Sequence, residues 1–253
     1  MLHLLAIEFD FDVVGRYLFN SLIRGGAWRT LEVALLAQLI GIVLGIVFAL
    51  MRNSRNPLTA GFSGFYVWFF RGTPALIQLL ILYNGIPQLF DNQTLTDNLT
   101  AFRAAVIAFG INEGAYMTEI VRAGILSVEP GQMDAAKSLG MTQFQAMRHV
   151  VLPQALRVVM PPTGNEFIAM LKNTSLASMI GLIELLGAAR LIYAPTFKIM
   201  ELLVVASIWY LAMTSAFSLL QAEVERLLAV GERERPETLL SRALTIIGGR
   251  RGI

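Results

Sequence analysis

No cysteine occurs anywhere in the chain, so disulfides and thiolate metal sites are excluded and cysteine usage leaves the redox compartment open. Histidine is almost as scarce: His3 lies at the extreme N-terminus and His149 in a polar stretch, an arrangement unsuited to a pair of haem ligands inside an apolar bundle. Lysine appears only at Lys137, Lys172 and Lys198, never after a glycine, so the Gly-Lys pair of a phosphate-binding P-loop is missing. Charge of both signs is sparse, 15% of 253 residues against 55% hydrophobic, where soluble domains carry roughly 25% charged residues. A soluble enzyme is therefore excluded as the default class. The opening MLHLLAIEFDFD places Glu8, Asp10 and Asp12 where a secretory signal needs an unbroken apolar core, and it reads as no cleaved signal peptide.

What the chain has in quantity is long apolar runs. Crossing ~30 Å of hydrocarbon takes about 20 mostly apolar residues, and stretches at about 31–50, 62–86, 101–126, 156–186 and 199–220 qualify. The expected fold is an all-α integral membrane protein of about five transmembrane helices. Arg52 and Arg55 follow the first span, while PQLFDNQTLTDN before the third has two aspartates and no cation, which puts the first loop in the cytoplasm and the second outside. Alternation then places the N-terminal segment 1–30 outside and the tail 229–253 inside. Arg16, Arg24 and Arg29 run against this charge rule, and FDVVGRYLFNSLIRGG reads as an amphipathic helix on the outer surface. The apolar run in LLSRALTIIGGRRGI is too short to span, leaving a cytoplasmic helix and a disordered basic end both open.

Ionisable groups inside spans are costly and mark pathways or partners. Counting inward at ~1.5 Å per residue, Arg71, Glu113 and Glu166 each reach mid-depth, ~15–18 Å from an edge. Thr73, Asn112, Tyr116, Asn165, Lys172, Thr174 and Ser175 cluster around them in sequence. So do helix breakers: Gly72 and Pro74, Gly110 and Gly114, Pro161, Pro162 and Gly164. Broken helices at mid-depth expose backbone polar groups to a polar cargo. Acids beside bases suit a zwitterion, with Glu113 or Glu166 accepting an ammonium group and Arg71 or Lys172 facing a carboxylate. The alternative is that these acids and bases pair to fix packing and that the glycines only let helices approach.

Between the third and fourth spans, residues 127–153 form a long polar connection. SVEPGQMDAAKSLG and MTQFQAMRHVVLP read as two short cytoplasmic helices, with Pro130 at a helix start, Gly140 at the turn and Pro153 closing the pair. A helical elbow of this kind is a docking surface, and a chain without a nucleotide motif takes its motor from another chain.

The spacing Asp134, Ala135, Ala136, then Gly140, Val150, Leu152 and Pro153 resembles the EAA signature of the membrane subunits of binding-protein-dependent ABC importers. That family most often has Glu at the position of Asp134 and Ile at that of Val150. FRGTP from Phe70, GAYMTEIVRAGI from Gly114 and GNEFIAMLKNTSL from Gly164 are similar to its polar amino acid branch, and the likeness covers about residues 31–228. The resemblance implies a type I importer permease in a bacterial cytoplasmic (inner) membrane, carrying a polar or charged L-amino acid by alternating access. It implies docking to an ATPase through Glu129, Pro130, Asp134, Ala135, Ala136 and Gly140. It also implies a second permease subunit, identical or related, two ATPase subunits and an external substrate-binding protein. ATP and Mg would sit on the ATPase; this chain would hold no cofactor, no metal and no catalytic residue, and would bind no nucleic acid. Basic amino acids, glutamine, glutamate and histidine all fit the mixed set of charges. A secondary transporter of a zwitterion would also use mid-depth carboxylates but leaves the elbow unexplained. A structural anchor of an enzyme complex would normally show cofactor ligands.

Overall fold

The structure is a computed structural model describing residues 9–90 and 98–228, and every regular element in them is helical. The tail expected on the cytoplasmic side lies outside the described residues. Helix α1 (Phe11–Leu18) begins where Asp10 accepts the N–H groups of Asp12 and Val13, donors that a helix start otherwise leaves open. The single amphipathic helix expected over FDVVGRYLFNSLIRGG is in fact divided: Asn20 Oδ1 accepts the Leu22 N–H at 2.9 Å and caps a new helix. This helix, α2 (Ser21–Arg52), runs unbroken for 32 residues, ~48 Å long, and contains the first expected span within it.

The second expected span is broken at the predicted place. Helix α3 (Pro57–Gly72) ends, Pro74 takes an extended conformation, and the chain resumes as α4 (Ala75–Leu80). Proline brings no N–H with which to continue the ladder. A π-helical turn at Ile81–Gly85 leads on to α5 (Ile86–Phe90). The third span coincides with α6 (Ala101–Leu126), and neither Gly110 nor Gly114 interrupts it.

In the fourth span the break lies elsewhere than expected. Helix α9 (Leu152–Asn173) passes straight through Pro161, Pro162 and Gly164. Thr163 donates to Val159 O at 2.7 Å, and Gln221 of α11 donates to Pro161 O at 2.9 Å and so ties the proline turn to the last helix. The interruption comes after a 3₁₀ segment, Thr174–Ile180: Gly181 takes φ +81°, and α10 (Leu185–Thr196) starts afresh. The last helix, α11 (Ile199–Leu228), extends the fifth expected span. By length and composition α2 and α11 can cross a bilayer alone, and the two broken runs qualify as bent pairs. Helix α6 has the length but carries Arg103, Glu113, Glu119 and Arg122.

The chain packs as two compact units. The first comprises Met1–Gln38, Thr73–Gly110 and Ala169–Met213. Its core joins Val13 of α1 and Ile23 and Ala27 of α2 to Leu185, Ala188 and Ala189 of α10 and Leu202, Val205 and Ala206 of α11. The second unit comprises Leu39–Gly72, Ile111–Ile168 and Thr214–Ile253. Here Gly41 and Gly45 of α2 face Glu113 and Met117 of α6: a methyl on Gly41 would meet Glu113 Cβ at 2.8 Å, and one on Gly45 the Met117 backbone at 2.9 Å. Gly114 answers from α6, backed by Leu44 and the Tyr66 hydroxyl. Tyr66 stacks on Phe48 at 3.9 Å and donates to Ile111 O at 2.6 Å. Apolar surface gains little by moving from lipid to protein, and an interhelical hydrogen bond contributes ~0.6 kcal/mol. Overfilling a tight contact costs ~1–3 kcal/mol, so the glycines dominate this packing.

Candidate functional site

In the second unit the end of α3 delivers Arg71 to the flanks of α6 and α9. Its guanidinium lies 5.2 Å from the centre of the Tyr116 ring, a distance at which cation and π-face attract. Glu166 on α9 is half-buried and feels the Arg71 charge. No ion pair among the described residues joins them. Asn112 donates to Phe70 O at 3.0 Å and so fixes the backbone just before Arg71. A base and an acid are thereby held in one neighbourhood without neutralising each other, as a zwitterionic cargo requires.

Other expected contacts have different surroundings. Glu113 is only 3% exposed and packs against Gly41, a position set by helix packing. Asn165 Oδ1 accepts from Gln221 at 3.3 Å. In the first unit, Thr73 Oγ1 accepts from Gln78 at 2.7 Å. Thr174 is fully buried and donates to Leu171 O at 2.9 Å, while Ser175 donates to Lys172 O at 2.7 Å. These hydroxyls, with Ser178 donating to Ser175 O at 2.8 Å, each reach back three residues and staple the 3₁₀ segment. Lys172 is exposed at the end of α9.

The elbow belongs to the second unit. Helix α7 (Pro130–Ser138) carries Pro130 at its first position, where the missing N–H costs nothing. Gly140 takes φ +84°, the left-handed region that favours glycine. Helix α8 (Gln143–Ala146) opens with a reciprocal cap, Thr142 accepting from Gln145 N at 3.2 Å and Gln145 accepting from Thr142 N at 2.9 Å. Pro153 does not close the pair: a π-helical turn at Met147–Val151 carries α8 into α9. The wider turn relieves the clash a proline ring makes with the preceding carbonyls. From Leu152 to Glu166 the connection is thus continuous helix, ~21 Å long.

Glu129, Pro130, Asp134, Ala135 and Gly140 are exposed, whereas Ala136 is buried. The two alanines divide their roles accordingly, one on the outer face and one in the packing. Leu139 and Phe144 are also exposed, at 82% and 71%; neither figures in the sequence expectation, although an apolar residue beside the turn glycine was a readable signal.

Sequence reasoning also passed over Glu184, which it placed inside the fourth span. This residue is fully buried, and its carboxylate caps α10 by accepting from Leu186 N at 2.9 Å and Gly187 N at 2.8 Å. A glutamate three residues after a glycine and just before an apolar helix was the available clue.

Comparison with known proteins agrees with this architecture. Residues 41–230 match the family described as binding-protein-dependent transport system inner membrane component. The arginine transport system permease protein ArgU of Corynebacterium glutamicum is 41% identical over 96% of this chain and 79% of its own length. The L-cystine transport system permease protein TcyB of Bacillus subtilis is 41% identical over 82% of this chain and 87% of its own. A crystal structure of an amino acid ABC transporter with histidines superposes with TM-score 0.77 at 40% identity, covering 86% of this chain and 98% of that one. An inward-facing structure of the MetNI methionine ABC transporter shares the fold at TM-score 0.67 and 17% identity. The all-helical fold, the elbow and these likenesses converge: the chain belongs to the binding-protein-dependent transport system inner membrane components, as a multi-pass permease subunit of an ABC transporter and not an enzyme.

Proposed function

We propose that this chain forms the membrane pathway through which a polar or charged L-amino acid enters the cell by alternating access. The observation that carries the reading is the Arg71–Tyr116–Glu166 set: opposite charges in one neighbourhood, with no ion pair between them. Arg71 faces the cargo carboxylate, and Glu166 faces its ammonium group or a cationic side chain. That acid favours a basic amino acid, in keeping with the arginine permease relative.

The assembly comprises a second permease subunit, two ATPase subunits that hold ATP and Mg, and an external substrate-binding protein. Closure of the ATPase pair moves the elbow, whose exposed face includes Glu129, Asp134, Ala135 and Gly140. Helix α9 carries that motion to Glu166 because no break separates them. A secondary transporter and a structural anchor give the elbow no task, and family membership favours neither.

The test is ATP hydrolysis by the full complex in lipid vesicles, titrated with a panel of amino acids with and without the binding protein. Stimulation by arginine or another polar amino acid is expected. Indifference to every member of the panel would remove the assignment of Arg71 and Glu166 to cargo.

A further inference from the structure

Three arginines near the start of the chain, Arg16, Arg24 and Arg29, run against the charge rule, and local contacts account for only one of them. Arg29 pairs with Glu32 at 2.8 Å and lies 5.0 Å from the centre of the Phe102 ring. Arg16 and Arg24 are exposed and enter no ion pair among the described residues.

Helix packing places them relative to the elbow. α2 and α6 run in the same direction, because Gly41 faces Glu113 and, one turn on, Gly45 faces Met117. The end of α6 leads into the elbow, so Arg52 lies at the elbow's end of α2 and Ser21 at the far end, away from the cytoplasm. Counting ~30 Å of hydrocarbon back from Arg52 at ~1.5 Å per residue reaches Glu32; Trp28 and Arg24 then stand ~6 Å and ~12 Å beyond it, and the usual ~20° tilt brings both closer. Headgroups occupy the ~5–8 Å outside the hydrocarbon. Arg24 is thus within reach of that layer.

The neighbours of both arginines are those of a lipid boundary. Trp28, 64% exposed, is one turn from Arg24 and heads a stripe continued by exposed Leu35 and Leu39. Phe11 and Phe19, 78% and 69% exposed, bracket Arg16 along α1, whose opposite face sends Val13 into the core of the first unit. Indole rings settle at the membrane–water boundary, and an arginine stem lies along apolar surface while its guanidinium reaches polar groups. An acidic protein partner could satisfy the guanidinium groups, but the stripe below Trp28 descends into hydrocarbon and only lipid continues along it.

We propose that the α1–α2 corner binds an anionic phospholipid of the outer leaflet. Arg24, assisted by Arg16, holds the headgroup phosphate through paired N–H donors, and Trp28 with Phe19 receives the top of an acyl chain. A choline lipid brings its own cation to its phosphate, so the site selects a headgroup with net negative charge. Asp12 shares the exposed face of α1 with Arg16, which leaves Arg24 the larger contribution.

The experiment uses the complete transporter in phosphatidylcholine vesicles, with spin-labelled phosphatidylglycerol as the probe and spin-labelled phosphatidylcholine as the reference. The motionally restricted fraction of each label reports binding. Wild type should retain the anionic probe in preference to the reference, and added salt should weaken that preference. Arg24→Gln is expected to lower it about threefold to fivefold, the range for one cation at an anionic surface, Arg16→Gln to lower it less, and Arg24→Lys to keep most of it. Melting temperatures should stay at the wild-type value, since neither arginine belongs to the core. Equal retention of the two labels by wild type, or an unchanged preference in both glutamine variants, overturns the site. If the variants keep the probe yet weaken association of the external binding protein, the arginines serve a protein partner and the lipid site falls.

Discussion

Glu166 and Glu184 are the same residue type in the same predominantly apolar chain, and their surroundings differ in kind. Glu184, in the first unit, receives two backbone N–H groups and a phenol, and is fully buried. Glu166, in the second, is half-buried and shares its neighbourhood with Arg71, whose guanidinium lies over the Tyr116 ring. A buried carboxylate whose acceptor positions are filled by the protein is part of the architecture, because its desolvation is already offset. One beside an unneutralised cation has interactions left to offer a cargo. The contrast separates two readings that depth alone could not: both acids lie in apolar runs, and only their partners tell them apart.

The largest effect expected is at the elbow that α9 joins to Glu166. Gly140→Val forces a β-branched residue into left-handed backbone, which costs ~1–2 kcal/mol locally. Coupled uptake should fall to background while membrane insertion and the melting temperature of the isolated subunit stay near wild type. Normal uptake would separate the elbow from transport.

The two glutamates provide the direct comparison. Glu184→Gln should lower stability by ~1–3 kcal/mol, the cost of leaving buried donors mismatched, visible as earlier thermal unfolding in detergent. Glu166→Gln should change stability by less than ~0.5 kcal/mol while reducing amino acid uptake. If both variants unfold early, Glu166 is architecture as well, and the distinction collapses.

A change of similar size tests whether Glu113 belongs with Glu184. Gly41→Leu would drive a side chain into Glu113 and should destabilise the subunit by ~1–3 kcal/mol. A neutral outcome would show that Glu113 can move aside.

The smallest effect concerns the strap at the start of the described chain, where Asp10 meets Lys198 at 3.5 Å and Asp10 N–H donates to Glu201 at 3.2 Å. The Val13 N–H holds the Asp10 carboxyl below the usual carboxylate range; desolvation opposes this and Lys198 assists. Because the folded pKa is the lower one, the stabilisation is complete above the unfolded value of ~3.9 and is lost as pH falls through the folded value. Any difference in melting temperature between wild type and Asp10→Asn should thus be constant from neutral pH down to ~4 and close below it. A gap that closes between pH 7 and 5 would mean another group titrates there.

Much of the fold was legible because lipid imposes a length and composition that sequence displays directly. α6 begins and ends where its apolar run does, and Pro74 and Gly140 act where a missing N–H or a positive φ must act. Pro161 and Pro162 misled because a proline only removes a donor. Whether the helix breaks depends on its surroundings, and here Gln221 of α11 ties Pro161 O to the neighbouring helix while α9 runs on. The candidate site was legible as a set of residue types, but not in its division. Thr174 and Ser175 are polar in sequence and spend their hydroxyls on backbone, while Asn112 contributes by holding Phe70 O.

By itself the sequence determined that the chain is helical, lives in a bilayer and carries a helical elbow, since hydropathy, helix punctuation and the Asp134–Pro153 spacing are local properties. Which glutamate has its acceptors filled by the fold and which lies half-buried beside an arginine was decided only in the tertiary structure. Hydrogen-bond satisfaction depends on residues far apart in the chain, such as Thr30 and Tyr210 around Glu184, and no local pattern encodes that meeting.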